Sequence, residues 1–273
     1  MSCVNPGQRY SNKGYIFLVK YIMNCKIILI LFVFLAGISF GEINSDRLSR
    51  MLESGGFTTK EMALKEIIKQ KAVNMTKNVI SVLKSDPDEK VRVLAAVCLG
   101  KLGSKEATAP LFKAVENDKS VEVKGAAIAA IGDIKDKTAA DKILELLKKD
   151  IAKSRHVKVG ITYALGRFGL PKANLALVKL LEDVDTEVRK EAVRSLERSK
   201  YPDAQFFIVD LAADDPDMDV RSEALDVLTR IGSSKIIGEL EIAAKSIKKE
   251  KLFEIRDKTL KVVEEIKKKG SAK

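Results

Sequence analysis

Apolar and polar residues along this chain recur with the period of an α-helix, and the whole pattern repeats about every 32 residues. Each copy begins with a β-branched residue followed by a basic one, and in all copies but the last, apolar residues stand four and eight positions after this anchor. The spacings between successive anchors are 32, 34, 31, 32 and 35 residues. The six anchors are Val91, Val123, Val157, Val188, Val220 and Ile255. Such a period predicts a helical solenoid, because one helix pair cannot cover its own apolar face.

The positions 0, 4, 7, 8 and 11 after the anchor lie on one side of a helix, and in repeats one, three and five all of them are apolar. Asp88, three residues before the first anchor, is suited to cap the start of that helix. The glycines at 103, 169 and 232 stand where a left-handed C-cap is expected. A first helix must precede each of these second helices, and in the third copy it is predicted over residues 138–149. The predicted fold is all-α, an α-solenoid of about six stacked antiparallel helix pairs with repeats of 31–35 residues.

The repeats divide the chain into segments. A seventh, degenerate copy begins at Thr59 and predicts an end cap, so residues 42–71 are interpreted as a linker and a capping helix. Residues 72–269 form the predicted solenoid, and residues 270–273 a short polar tail.

The start of the chain is typical of a secretory signal peptide. Residues 27–40 carry no charge, lysines precede them, and the small residues Ser39 and Gly41 precede a predicted cleavage between Gly41 and Glu42. Met23 is an alternative start that leaves a compact signal. If residues 15–40 stay uncleaved, they are long enough for an inner-membrane anchor, since a spanning helix needs about 20 apolar residues. Both hypotheses predict export of the repeats, to a bacterial periplasm.

The composition suits stacked helices, with 46% hydrophobic residues, 5% aromatic residues and no Trp. The three cysteines offer neither a disulfide framework nor metal-ligand spacing. Cys98, seven positions after its anchor, is predicted to be buried.

The stretch VRVLAAVCLG at residues 91–100, with Asp88 before it and Gly103 behind it, resembles the HEAT-like repeat first named after phycobiliprotein lyases. The resemblance covers about residues 57–268, although Glu197, Thr229 and Glu264 replace the glycines found at 100, 132 and 166. It implies a binding scaffold. One specialised branch of these proteins attaches bilin chromophores, so a bilin-type or small-ligand lyase or transferase is an alternative.

The exposed arc of the second helices differs between the two halves of the repeat array. In repeats one to three it is unusually apolar, which favours a partner-binding groove for a protein or peptide. Two alternatives are internal cover, by tight curvature or by residues 42–71, and a homodimer through this apolar face. The predicted groove and its edge consist of Val93, Leu94, Val97, Lys101, Ala126, Ala129, Val159, Tyr163 and Arg167, with Asp133 also at the edge.

A basic residue follows every anchor. Because it occurs in all copies, we interpret it as a structural ladder that pairs with acids such as Asp86, Asp118 and Asp185. A binding ladder for an acidic peptide or polyanion is the alternative. The six residues are Arg92, Lys124, Lys158, Arg189, Arg221 and Arg256.

The net charge of +11 suggests nucleic-acid binding, but a count of the charges by segment weakens this interpretation. Residues 42–244 carry 34 basic and 33 acidic residues, whereas a duplex-binding solenoid should carry a basic stripe. Nucleic-acid binding is therefore only a second alternative.

Catalytic motifs find little support in the sequence. His156 is the only histidine, no nucleophile has a supporting base, and no phosphate loop or metal-ligand spacing occurs. The predicted function is an exported, non-catalytic scaffold that binds a protein or peptide and needs no cofactor.

Overall fold

The computed structural model describes residues 45–247 and 253–271. The predicted signal segment and its cleavage site at Gly41 and Glu42 lie outside the described residues. The compact unit that carries the repeats spans Ser49–Lys273, and of the preceding unit, residues 1–48, only residues 45–48 are described.

The described residues form fourteen α-helices and no strand. Six pairs of consecutive helices, α3/α4 to α13/α14, pack within each pair and on the next pair, which confirms the predicted all-α solenoid. Helices α1 and α2 occupy the segment interpreted as a linker and one capping helix, and α2 packs on α4. In chain order, helices α1–α14 are Ser45–Ser54, Phe57–Gln70, Thr76–Ser85, Glu89–Leu102, Thr108–Asn117, Val121–Ile134, Ala140–Leu146, Arg155–Phe168, Pro171–Leu180, Thr186–Arg198, Ala204–Asp214, Met218–Ile231, Ile237–Ser246 and Phe253–Ser271.

The core consists of the positions that the repeat pattern marks as apolar. Val91, Ala95, Cys98 and Leu99 of α4 have at most 1% of their surface exposed, and the equivalent positions of the following second helices are buried as well. The predicted N-cap Asp88 accepts a hydrogen bond from the amide of Lys90 at 2.8 Å. The repeats therefore fill their core in the same way, and Asp185 and Asp217 cap the second helices of repeats four and five as Asp88 does in repeat one.

Three details differ from the sequence interpretation. The first helix of repeat three ends at Leu146, because the extra residues of this repeat form a 3-10 turn at Asp150–Lys153. Gly232 is extended, at φ −62°, and its lack of a side chain instead lets Ile266 approach to 2.7 Å from where a Cβ would lie. The last helix reaches Ser271, so it includes two residues that were assigned to a polar tail.

Glycines bring the second helices of the first four repeats unusually close together. A Cβ on Gly100 would lie 2.9 Å from the Cα of Ala130, and one on Gly132 would lie 2.5 Å from the Cα of Ala164. Gly166 makes the same approach to Ser195, at 2.6 Å from its Cβ. Because all three glycines occupy position nine after their anchors, the close packing follows the repeat register.

Candidate functional site

The surface that the second helices expose is called here the inner face. Neighbouring second helices pack much more closely on one another than neighbouring first helices do, so the solenoid curves towards this face. All nine residues of the predicted groove and its edge are on it, and none of them is buried. Val97 is 39% exposed, Lys101 is exposed, and the other seven are half-buried.

The protein itself covers two glycines of the inner face. Gly125 and Gly160 are buried because α6 and α8 cross there backbone to backbone, and a Cβ on Gly160 would strike the carbonyl oxygen of Gly125. A Cβ on Gly125 would strike the carbonyl of His156. The apolar side chains on either side of this crossing remain partly open to solvent.

Asp133 of α6 is the centre of the polar edge. Its carboxylate accepts a hydrogen bond from Lys101 Nζ at 2.8 Å and one from the Tyr163 hydroxyl at 2.7 Å, and Arg167 Nε lies 3.0 Å away. Burial alone would raise the pKa of Asp133, but the bonds from Lys101 and Tyr163 outweigh it and the pKa is lowered. Three successive second helices are thereby joined through one ionised carboxylate.

Tyr163 is held from two sides. Burial, together with the hydrogen bond to Asp133, raises the pKa of its hydroxyl to about 12. The guanidinium of Arg198 lies 4.5 Å from the centre of its ring, and Arg198 Nη1 also donates to Glu191 at 3.0 Å. Glu191 is itself buried. The distance along the chain between Arg198 and Tyr163 left no local signal for this contact.

The inner face of repeats four to six is covered by ion pairs between neighbouring second helices. Arg230 binds both carboxylate oxygens of Glu197, at 2.5 and 2.7 Å. Two further pairs are Arg194 with Glu223, and Lys258 with Asp226 at 2.7 Å. These charges satisfy one another, so this half of the inner face exposes little apolar surface.

Two arginines of the basic ladder form buried links between repeats. Arg92 donates to both carboxylate oxygens of Asp118, at 2.8 and 2.9 Å, and to the carbonyl of Asp86 at 2.9 Å. Arg189 repeats this geometry with Asp215, at 2.8 Å to each oxygen. Each arginine therefore joins its own repeat to the following one by a two-pronged, charge-assisted bond.

The other four residues of the basic ladder differ in their contacts. Lys158 pairs with Asp183 at 2.8 Å, and Arg221 donates to the carbonyl of Asp215 at 2.6 Å. Arg256 pairs with its neighbour Asp257, and Lys124 has no ion pair within the described chain. The remaining acids named from the sequence are paired elsewhere, Asp86 with Lys60 at 2.5 Å and Asp185 with Arg155 at 2.6 Å.

The part of the chain that the structure describes contains one cysteine and one histidine. Cys98 is fully buried, as predicted, and burial raises the pKa of its thiol to about 12. His156 is exposed, and its Nδ1 lies 3.9 Å from a carboxylate oxygen of Glu122. Over residues 45–247 and 253–271, no cluster of His, Cys, Asp or Glu could hold a metal ion, and no helix is long and apolar enough to cross a membrane.

The family is defined by sequence similarity over more than half of the chain. A family model for HEAT repeats matches residues 76–157 and 152–229. The chain therefore belongs to the HEAT-repeat family.

Two solved structures show the same fold. One is from the complex of CpcE and CpcF of phycocyanin lyase from Nostoc sp. PCC7120, with 21% sequence identity, a TM-score of 0.55, and coverage of 84% of this chain and 96% of that chain. The other is YibA from Escherichia coli, with 20% identity, a TM-score of 0.52, and coverage of 96% and 99%. The search of curated proteins found no match. At these identities the similarity concerns the fold alone.

Proposed function

We propose that this chain is a non-catalytic HEAT-repeat scaffold that binds a protein or peptide at the inner face of repeats one to three. The supporting observation is the row of partly open apolar side chains on α4, α6 and α8, at the register where repeats four to six carry paired charges. An apolar surface that remains open on a folded chain is stabilised when a partner removes it from water.

The edge of this surface suits a specific contact. Tyr163 is half-buried and fixed by Asp133 and Arg198, so a partner can pack on it without having to order it. Tyrosine and arginine are the residue types that contribute most strongly at the centres of interfaces. Val97 and Lys101 extend the surface on α4, where both side chains are exposed.

The test replaces Val97 with glutamate. Because Val97 is partly exposed and Lys101 stands four residues later, Val97→Glu should leave the free energy of unfolding within about 0.5 kcal/mol of the wild type. The same variant should lose a partner captured by cross-linking from fractionated native cells. Val184→Glu is the matched control, since Val184 is 94% exposed in the loop between α9 and α10.

Loss of the same partner in both variants, or in neither, would contradict binding at the inner face. Self-cross-links in place of a partner would identify a homodimer and also contradict the proposal.

The proposal includes export, based on the N-terminal sequence. Cleavage between Gly41 and Glu42 would release the repeats into a bacterial periplasm, and an uncleaved segment 15–40 would hold them at the inner membrane. N-terminal sequencing of the native protein, recovered by osmotic shock, tests this point. Recovery of the intact chain in the cytosolic fraction would contradict export.

A further inference from the structure

A second exposed apolar surface lies on the first helices of repeats four to six. Leu175, Phe207 and Ile242 each stand 13 residues before the anchor of their repeat, so they occupy the same place on α9, α11 and α13. Their exposed fractions are 62%, 37% and 70%. We call these three residues, together with Phe206 at 39%, the outer row. In repeats one to three the same register holds residues that are only half-exposed, namely Asn78, Pro110 and Leu144.

Unpaired acids surround the middle of the outer row. Asp203, Asp210 and Asp214 lie four residues before, three after and seven after Phe207, so all of them share its side of α11. All three are exposed, and none has an ion pair within the described chain. Helix α11 itself carries no basic residue.

Two acids on the first helices of repeats two and three are neutralised by the neighbouring repeat. Glu116 pairs with Lys142 of the next first helix at 3.0 Å, and Asp141 pairs with Lys172 of the one after it. In the described chain this series ends at α9. The aspartates of α11 therefore combine exposed apolar surface with negative charge that the protein itself does not balance.

We propose that the outer row binds an amphipathic, lysine-rich helix of another protein. Apolar side chains of that helix would cover Leu175, Phe207 and Ile242, and its lysines would pair with the aspartates of α11. The dimensions agree, because packed helices lie about 10 Å apart and residues seven positions apart on a helix are separated by about 10.5 Å. A helix lying across α9, α11 and α13 could thus present one apolar residue to each.

Charge argues against a second copy of this chain as the occupant. A two-fold arrangement centred on Phe207 would place the same patch of both copies face to face. Asp203, Asp210 and Asp214 of one copy would then approach the same acids of the other, and like charges across an interface oppose association. A cationic partner removes this repulsion.

The probe is a synthetic, fluorescently labelled helical peptide of about 20 residues. It carries leucine at every seventh position and lysine beside each leucine, and the control peptide carries glutamate in place of lysine. Fluorescence anisotropy with the full chain should show binding of the lysine peptide that weakens as salt is added. The glutamate peptide should bind at least about tenfold more weakly.

Variants of the outer row locate the binding. Leu175→Ser combined with Ile242→Ser should weaken the lysine peptide at least about tenfold, and Asp210→Asn combined with Asp214→Asn should weaken it and reduce its salt dependence. Val97→Glu on the inner face should leave the affinity unchanged, which separates this result from the test of the proposed function. All these side chains are exposed, so circular dichroism and melting should match the wild type.

Several outcomes would overturn the proposal. These are equal binding of the two peptides, unchanged binding by the outer-row variants, or an equal loss in Val97→Glu. Concentration-dependent self-association that Leu175→Ser abolishes, without binding of the lysine peptide, would identify a second copy as the occupant and would reject the cationic partner.

Discussion

The two halves of the solenoid expose apolar side chains on opposite faces. In repeats one to three these side chains line the inner face, and the first helices are joined by ion pairs such as Glu116 with Lys142. In repeats four to six the inner face carries ion pairs such as Glu197 with Arg230, and apolar residues such as Leu175 stand on the first helices. Because the core positions are buried in both halves, the repeat pattern determines the interior and leaves the residues of each exposed face free to differ.

Position nine of the second helix accounts for part of this difference. Gly100, Gly132 and Gly166 let neighbouring second helices approach closely, whereas Glu197 and Thr229 occupy that position in repeats four and five. The second helices of the later repeats accordingly pack less closely on one another. A side chain at this position is compatible with polar bonds across the wider gap, such as the pair of Glu197 with Arg230.

The largest expected effect concerns the buried arginines that both halves share. Arg92→Ala and Arg189→Ala should each lower the free energy of unfolding by about 4 kcal/mol, because each change leaves a buried carboxylate without its partner. Urea denaturation followed by circular dichroism measures the loss. Arg230→Ala, which breaks an exposed pair, should cost less than about 1 kcal/mol. A large loss of free energy of unfolding in Arg230→Ala, or no loss in Arg92→Ala, would contradict the distinction between buried and exposed ion pairs.

The next largest effect is expected at position nine of the second helices, where the two halves of the solenoid can be compared. Gly132→Val should lower the free energy of unfolding by about 3 kcal/mol, since even the Cβ would meet the backbone of Ala164. Thr229→Val introduces the same residue at position nine of repeat five. This variant should change the free energy of unfolding by less than about 1 kcal/mol. Urea denaturation of both variants tests the contrast. Equal costs would show that the two halves are packed alike.

The smallest expected effect is the dependence of the free energy of unfolding on acidic pH. Burial acts to raise the pKa of Asp118, but the bond from Arg92 and the amide of Ser120 outweigh it, so the folded pKa is below the ordinary value. Such a carboxylate stabilises the fold above its unfolded pKa of about 3.9 and loses this contribution as the pH falls through the folded value. The stability difference between wild type and Asp118→Asn should therefore be present near neutral pH and shrink below about pH 4. Urea denaturation at several pH values measures it, and a difference that stays constant would contradict the assigned cause.

The fold could be predicted from the sequence because its core is periodic. The anchors and the apolar positions after them recur at nearly constant spacing, and those positions are buried. The short first helix of repeat three was missed, since a 3-10 turn is only a small change in local conformation. The extended backbone of Gly232 was missed because the glycine serves a close approach by Ile266 and not a left-handed turn.

The candidate surfaces were harder to predict. The nine inner-face residues were found because they share one helix face, and their role in binding stays a prediction. The contact of Arg198 with Tyr163 joins residues of different repeats, so no local pattern signals it. The outer row had a signal, the constant distance of 13 residues to each anchor, but it lies on first helices, whose apolar spacing is less regular.

Position twelve after each anchor, near the end of the second helix, alternates between two residue types. Counting from the degenerate copy at Thr59, this position reads lysine and glycine in strict alternation: Lys71, Gly103, Lys135, Gly169, Lys200, Gly232 and Lys267. Lys71, Lys135 and Lys200 have positive φ angles of 51°, 58° and 55°, a conformation in which glycine is less strained than lysine. Glycine at positions 71, 135 and 200 would therefore relieve backbone strain, but it would also remove a positive charge that interacts favourably with the C-terminal end of a helix.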